Sequence, residues 1–196
     1  MTQPGGIAVQ RFVDTYRPDA GTRVPFDAFL GYADRAAPRA LVELWRTCGL
    51  GFYGEQRIAL VDPGHWMGLL QTWLGGDITS FPFAVTSFGH VYHYDRVTGG
   101  DRIQCLDPHF QSNSVIEGDL VTFFNDHLTG PSSHLKDLEG PRGGARSKLG
   151  ELQEGEIYYF DPILALGGQV RPENLAKGDG VAHLSDIHQK VAAKHR

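Results

Sequence analysis

The chain has 196 residues, of which 18 are Lys or Arg and 23 are Asp or Glu, giving a formal net charge of −5. With 41% hydrophobic residues it can bury a core, so the composition excludes wholesale disorder and favours one compact body. No apolar run approaches the roughly 20 residues of a membrane helix, no secretory signal pattern is visible, and the mild acidity argues against direct nucleic-acid binding. We therefore expect a cytoplasmic protein.

The first half of the sequence mixes predicted helices with predicted strands. Apolar side chains at helical spacing predict helices over 7–16, from Pro25, after Pro38 as far as Gly49, and over 64–74. Strand patterns occupy 56–61, 83–87, 89–96 and 102–106, with Gly99-Gly100-Asp101 as a hairpin turn before the last of them. Such hairpin connections favour antiparallel pairing.

The second half begins with a predicted helix over 118–128. Residues 129–144 are rich in Gly, Pro, Ser and charge, which predicts a linker or mobile loop. Beyond it the patterns predict a helix over 145–152, a strand over 156–160 and a terminal helix over 186–194. Without a regular β-α-β alternation the fold class is α+β: a mostly antiparallel sheet packed by helices, in a single compact body with a C-terminal helix-strand-helix segment.

Catalytic and metal-binding motifs are weak throughout. His90 and His93 are three apart on a predicted strand and point to opposite faces, so they do not favour a metal site. Cys48 is at a predicted helix C-terminus, where the dipole raises a thiol pKa, and Cys105 lies within a predicted strand as a small hydrophobe. The GxGxxG run at 49–54 follows a predicted helix and precedes a predicted strand. A dinucleotide-binding loop requires the opposite order, a strand before the glycines and a helix after them. We expect no catalytic residue, metal or cofactor, and a protein that is not an enzyme.

Negative charge is concentrated in the second half of the chain. Residues 1–98 have 8 basic and 9 acidic groups, whereas residues 99–196 have 10 and 14. Two shorter stretches have a stronger excess of acidic residues. Residues 101–126 have five acids against Arg102 alone, and residues 151–161 have four acids and no base. Each stretch is either an ordinary solvated face or a surface shaped for a basic partner.

Four segments resemble a known family. The chain resembles the GAD-like domain of bacterial immunity proteins at 38–54 (PRALVELWRTCGLGFYG), 58–63 (IALVDP) and 81–89 (FPFAVTSFG). It resembles the C-terminal segment of the same proteins, the type VI secretion immunity family that protects against a DNase effector, at 148–175 (KLGELQEGEIYYFDPILALGGQVRPENL). The segments follow the family's order. His90 departs from the acidic or small residue that family members commonly have after the FG of the central strand.

The resemblance implies a non-enzymatic antitoxin, with a GAD-like module over 1–130 and a C-terminal immunity-family segment over 131–196 packed on the same body. It implies a cytoplasmic protein of bacterial competition, monomeric or in a 1:1 heterodimer, that neutralises a cognate, type VI secreted DNase by occluding its active site or DNA-binding groove. A DNase needs a basic groove, so acidic residues are the expected toxin-binding side chains. They are Asp101, Asp107, Glu117, Asp119, Asp126, Glu151, Glu154 and Glu156.

Two other functions stay open from the residues alone. A small-molecule-binding or regulatory module would use an aromatic pocket lined by Trp45, Trp66, Trp73, Tyr92 and Tyr94, for which core packing is the competing role. A metal-dependent hydrolase would use His90, His93, His109 and nearby acids as ligands.

Overall fold

Three helices come first in the folded chain. A computed structural model describes residues 6–98, 100–131, 133–137 and 139–194. The helices are α1 (Gln10–Thr15), α2 (Asp27–Ala36) and α3 (Arg39–Cys48), and each confirms a predicted one. Pro38 precedes α3, and Gly49 ends it at φ 92°, where an added Cβ would lie 2.5 Å from the carbonyl oxygen of Arg23. Only glycine fits there, because both the left-handed backbone and the close approach exclude a side chain.

Six strands form one antiparallel sheet within the described residues. In chain order, which is also their order in the sheet, they are β1 (Gly51–Tyr53), β2 (Ile58–Leu60), β3 (Phe81–Thr86), β4 (Val91–Val97), β5 (Gly100–Asp107) and β6 (Ser112–Glu117). The strands β2 to β5 confirm the four predicted ones. Val97 pairs with Gly100 where the sequence predicts a hairpin, although Gly99 lies outside the described residues.

The two outer strands of the sheet are not evident in the sequence. The sequence predicts no strand around Gly51, yet Gly51–Tyr53 pairs with β2. In β6 the Ser-Asn-Ser start has no apolar alternation, and residues 112–115 are exposed. The strand forms because its backbone pairs with β5, with Ser114 opposite Cys105, so pairing outweighs the side-chain pattern.

Two further helices pack against the sheet. They are α4 (Pro63–Leu74) and α5 (Leu120–Thr122), the latter continuing as a π-helical turn over Phe123–His127. Asp62 caps α4 by accepting a hydrogen bond from the Gly64 N–H, and Asp119 caps α5 by accepting one from the Thr122 N–H. Both helices confirm the predictions over 64–74 and 118–128.

The C-terminal part is a two-stranded hairpin between helices. Its elements are α6 (His134–Asp137), α7 (Glu139–Leu149), β7 (Glu156–Phe160), two 3₁₀ turns (Leu164–Leu166 and Pro172–Asn174), β8 (Leu175–Asp179) and α8 (Gly180–Lys194). β7 and β8 pair antiparallel in a second small sheet. The predicted strand 156–160 is confirmed, and the terminal helix begins six residues earlier than predicted.

The prediction of a linker over 129–144 is wrong, because α6 and α7 occupy much of it. Gly140, Gly143 and Gly144 disfavour a helix by propensity alone. However, α7 docks onto the sheet: Ala145 is fully buried, and the nearly buried Arg142 donates from Nη1 to the carbonyl oxygen of Glu55 at 2.8 Å. Tertiary contacts therefore decide the conformation of this segment.

Three apolar clusters form the core. The first lies between α1, α3, one face of the sheet and the π-helical turn, and contains rings of Phe12, Trp45, Tyr53, Phe83 and Phe123. The second packs α4 and α8 on the other face, and the third packs the β7–β8 hairpin and α7 around the end of β3. The architecture is α+β, as predicted. No helix among the described residues is both long and apolar enough to cross a membrane.

Candidate functional site

A cleft of about 610 Å³ lies where the C-terminal part meets the sheet. One wall comes from residues between 20 and 66, and the other comes from 151–155 together with Asp179. We call it the seam cleft, because its two walls belong to distant parts of the chain. It exists only when both parts are folded against each other.

Gln56 joins the two walls. It follows β1 in a turn with positive φ (64°), and its side chain is directed to Leu152 across the seam. Gln56 Nε2 donates to the Leu152 carbonyl oxygen at 2.8 Å, and Gln56 Oε1 accepts from the Leu152 N–H at 2.9 Å. Gln56 is only 9% exposed, so this pair of hydrogen bonds satisfies both buried main-chain groups of Leu152.

Negative charge predominates in the seam cleft. Its lining includes four carboxylate side chains and one guanidinium, those of Asp62, Glu151, Glu154, Asp179 and Arg23. Arg23 holds Glu154 with two parallel hydrogen bonds of 2.6 and 2.7 Å. This hydrogen-bonded cation lowers the pKa of Glu154. Both side chains are largely exposed, so the pair adds little to stability, and the cleft retains an excess of carboxylates.

Two of the four carboxylates are fixed by helix capping. Asp62 Oδ1 accepts from the Gly64 N–H at 2.8 Å, and Asp179 Oδ1 accepts from the Ala182 N–H at 2.7 Å. The cleft is thus bordered by the first turns of α4 and α8. Sequence reasoning missed both acids as site residues. For Asp62 the available signal is an Asp-Pro pair directly before the predicted helix over 64–74, which identifies a cap. Asp179 has no such signal, because the predicted terminal helix begins at 186.

Two of the eight predicted toxin-binding acids lie in the seam cleft. Glu151 and Glu154 line it, and Glu151 also accepts a hydrogen bond from Arg146. Glu156, on β7, lies outside the lining and forms an ion pair with Lys177 at 3.3 Å. The fold therefore places only part of the acidic stretch 151–161 in the seam cleft.

Three other predicted acids, Glu117, Asp119 and Asp126, follow one another from the end of β6 to the π-helical turn, and we call them the second acidic group. Asp119 is the α5 cap, and Asp126 forms an exposed ion pair of 2.9 Å with Arg11. Glu117 Oε1 accepts from the Gly118 N–H at 2.8 Å. Asp101 lies on β5 with its main chain next to Gly118, and it accepts a hydrogen bond from the Tyr94 hydroxyl at 2.5 Å.

Asp107 has a structural role at the end of β5. Its side chain is 16% exposed, accepts from the His109 N–H, and lies 3.5 Å from His90 Nε2. Burial opposes its ionisation, but the hydrogen bond and charge of His90 outweigh that and lower the pKa of Asp107 to about 2. This carboxylate holds two histidines and a turn in place.

The three histidines of the metal hypothesis are not brought together. His90 and His109 pack edge to face beside Asp107, whereas His93 Nε2 contacts Asn113 Oδ1 at 2.8 Å. Within the part of the chain that the structure describes, no group of three or more His, Cys, Asp or Glu side chains could hold a metal ion. Burial raises the pKa of the Cys105 thiol to about 12 and also raises that of Cys48, which disfavours reactive thiolates.

The aromatic residues of the ligand-binding hypothesis are divided between two cores. Trp45, Tyr92 and Tyr94 are buried in the first cluster, and Trp66 is buried in the second. Trp73 packs beside the second cluster and donates from Nε1 to the Leu184 carbonyl oxygen at 3.2 Å. These side chains pack in the cores on the two faces of the sheet, so they do not line a common pocket.

Two family models match this chain, and each covers the residues of one wall of the seam cleft. The family model described as GAD-like domain matches residues 8–105, half of the chain. The family model described as T6SS immunity protein Tdi1, C-terminal, matches residues 124–189. No curated protein matches. A crystal structure of Atu4351 from Agrobacterium tumefaciens superposes with a TM-score of 0.74 at 16% identity, covering 92% of this chain and 88% of that one, which shows a shared fold.

Proposed function

This chain belongs to the GAD-like family, in its type VI secretion immunity form, and on that premise we propose that it binds and neutralises a DNase toxin by direct contact. A DNase must hold phosphates in a basic groove, so a folded acidic surface can occupy that groove and compete with DNA. The chain then acts by binding, without turnover of a substrate. We further propose that the two proteins form a 1:1 complex in the cytoplasm.

The observation that carries the proposal is the seam cleft, which has four carboxylates, two of them paired with Arg23 and Arg146. Two of these carboxylates are fixed as helix caps, so the negative field is already organised before the partner arrives. Such a field accelerates encounter with a basic partner and selects against acidic ones. Glu151 and Glu154 are the acids of this set that cap no helix, and both are exposed, so they are the contact residues that can be changed without disturbing a cap.

The direct test takes as candidate toxin a nuclease domain encoded by the reading frame adjacent to the gene of this chain. We expect the purified chain to bind it, to inhibit its cleavage of duplex DNA at a 1:1 ratio, and to rescue cells that express it. Absence of both binding and rescue contradicts the proposed function.

Charge reversal then tests the seam cleft. The variant Glu151→Lys with Glu154→Lys is expected to lower the association rate at least about 10-fold at low salt, with a smaller change in the dissociation rate. The matched control is Asp77→Lys with Glu173→Lys, which changes the net charge equally at exposed positions outside the cleft. Equal association rates for the two variants would remove the cleft from the proposal.

The second acidic group provides the competing location. Its variant combines Glu117→Lys and Asp126→Lys with Asp119→Asn, because asparagine retains the α5 cap that a lysine would remove. If this variant slows association while the cleft variant does not, the toxin contacts the π-helical side of the molecule. The proposed neutralisation would then stand with a different binding surface.

A further inference from the structure

An apolar groove of about 380 Å³ lies beside the seam cleft, between α2 and α4. We infer that it is the anchor site for the partner: it receives large apolar side chains from a basic segment of the toxin. This inference rests on the proposed function and adds to it the chemistry of the bound segment. The lining includes Phe29, Tyr32 and Ala36 of α2, Trp45 of α3, Met67 of α4 and Phe81 of β3.

The groove is open because α2 uses only one side for packing. Leu30 and Ala33 are buried against α3, whereas Tyr32 is 67% exposed at the groove. The floor is rigid, since Phe29 and the buried Trp45 pack edge to face with ring centroids 5.3 Å apart. A concave apolar surface with an exposed aromatic ring and a preformed floor is typical of interface anchor sites.

Charge next to the groove defines the occupant. Asp62 lines both the groove and the seam cleft, so the two surfaces are continuous. A segment that fills the groove and continues past Asp62 meets the carboxylates of Glu151, Glu154 and Asp179. Complementarity therefore requires large apolar side chains at one end of the segment and Lys or Arg at the other.

The same arrangement disfavours a second copy of this chain. A two-fold dimer whose axis passes near Asp62 would bring the carboxylates of the two copies close together. Like charges that face each other across an interface weaken association. We therefore assign the groove to the basic partner.

Ala36 allows the groove to be filled without disturbing the core, because it is exposed on α2 and lines the groove. With the same nuclease domain as the probe, Ala36→Arg is expected to weaken binding about 30-fold, mainly through faster dissociation. Ala36→Glu must weaken it as well, since steric filling does not depend on the sign of the charge. Tyr32→Ala, which removes a lining ring, is expected to weaken binding about 10-fold.

The control is Ala193→Arg, the same substitution at an exposed position of α8 outside both surfaces, expected to bind within about twofold of the original chain. Circular dichroism melts establish that all variants are folded. If the original chain binds the nuclease and both Ala36 variants bind equally well, the groove assignment fails and the proposed function stands. If the original chain does not bind, the proposed function fails first. A concentration-dependent dimer of the free chain that Ala36→Arg makes monomeric would show that a second copy is the occupant.

Discussion

The two matched regions of this molecule are stabilised in different ways. The region over 8–105 buries a continuous aromatic cluster on one face of its sheet, capped by the π-helical turn. The region over 124–189 adds Phe124, Leu128 and Leu135 to that cluster and otherwise contributes to two smaller clusters. Each smaller cluster is completed by residues of the sheet region, Trp66 and Val85 in one and Phe88 in the other. A two-stranded hairpin alone is marginal in water. The seam cleft is consequently a property of the docked pair of regions.

The largest expected effect comes from removing the ring that the sheet region supplies to the hairpin. Phe88 is 1% exposed and stacks on Phe160 with centroids 5.6 Å apart. We expect Phe88→Ala to lower the free energy of unfolding by about 3–5 kcal/mol. Urea denaturation followed by fluorescence and circular dichroism measures it.

Phe110→Ala is the matched control, because Phe110 is 83% exposed. Its unfolding free energy should stay within about 0.5 kcal/mol of the original value. Coincident transitions by both probes are expected for Phe88→Ala if the regions unfold together. A separate early transition of the hairpin would show that the two regions do not unfold as one unit.

Acid should weaken the contact between α8 and the β7–β8 hairpin. His183 on α8 stacks on Tyr159 with centroids 3.6 Å apart, and burial lowers its pKa to about 4, with Asp186 and Asp161 opposing the shift and His109 and Lys190 adding to it. The unfolded chain binds this proton near pH 6.5 and the folded chain only near pH 4. Stability is therefore complete above pH 6.5 and falls by roughly 2–3 kcal/mol as the pH drops from 6.5 to 4, less than the full shift because the ring is partly exposed.

His183→Phe retains the stacked ring and removes the proton site. Between pH 6.5 and 4 its unfolding free energy should fall by roughly 2–3 kcal/mol less than that of the original chain. Urea titrations at several pH values measure the difference. An identical pH slope in both proteins would show that other groups carry the acid sensitivity.

A smaller effect is expected from the hydrogen bonds across the seam. Gln56→Leu leaves the buried N–H and C=O of Leu152 without their partners, which should cost about 2 kcal/mol. Gln111→Leu is the control, since Gln111 is exposed and also has a positive φ (53°). Equal losses in the two variants would assign the effect to the backbone conformation and not to the seam.

The smallest effect is expected for the ion pair at the rim of the cleft. Arg23 and Glu154 are 64% and 74% exposed, so their coupling in a double-mutant cycle of Arg23→Ala and Glu154→Ala should be below about 1 kcal/mol. Unfolding measurements at low and high salt test this. A coupling well above that value would make the rim a stabilising part of the seam.

Local signals in the sequence specify most of the sheet region. Pro38 and Gly49 bound α3, and alternation identifies β3 to β5, because each signal is local to its own element. The conformation of α7 depends on the contact of Arg142 with a carbonyl group far away in the chain, so its own glycines predict the wrong structure. A local pattern carries no information about such a distant partner.

The candidate site could be predicted only in part for the same reason. Glu151 and Glu154 were identified from a run of acids, and the structure places both in the seam cleft. Asp62 and Asp179 are isolated caps on different helices, and only the fold brings them to one cleft. Asp107 belongs to an acidic stretch in the sequence yet is enclosed by two histidines, because composition does not report which side of a strand is covered.

Several hydrogen bonds across the seam are made to main-chain atoms. Gln56 binds both peptide groups of Leu152, Arg142 binds the Glu55 carbonyl, and the Tyr158 N–H donates to the Ser87 carbonyl at 2.7 Å. These bonds do not by themselves fix the residue types at 55, 87 and 152, although Leu152 is also packed in the third apolar cluster. Recombined chimeras, with the two halves drawn from different relatives, should keep these bonds when Gln56 and Arg142 are retained, and they also need matching apolar residues around Phe88. New specificities could then arise by exchange of whole halves.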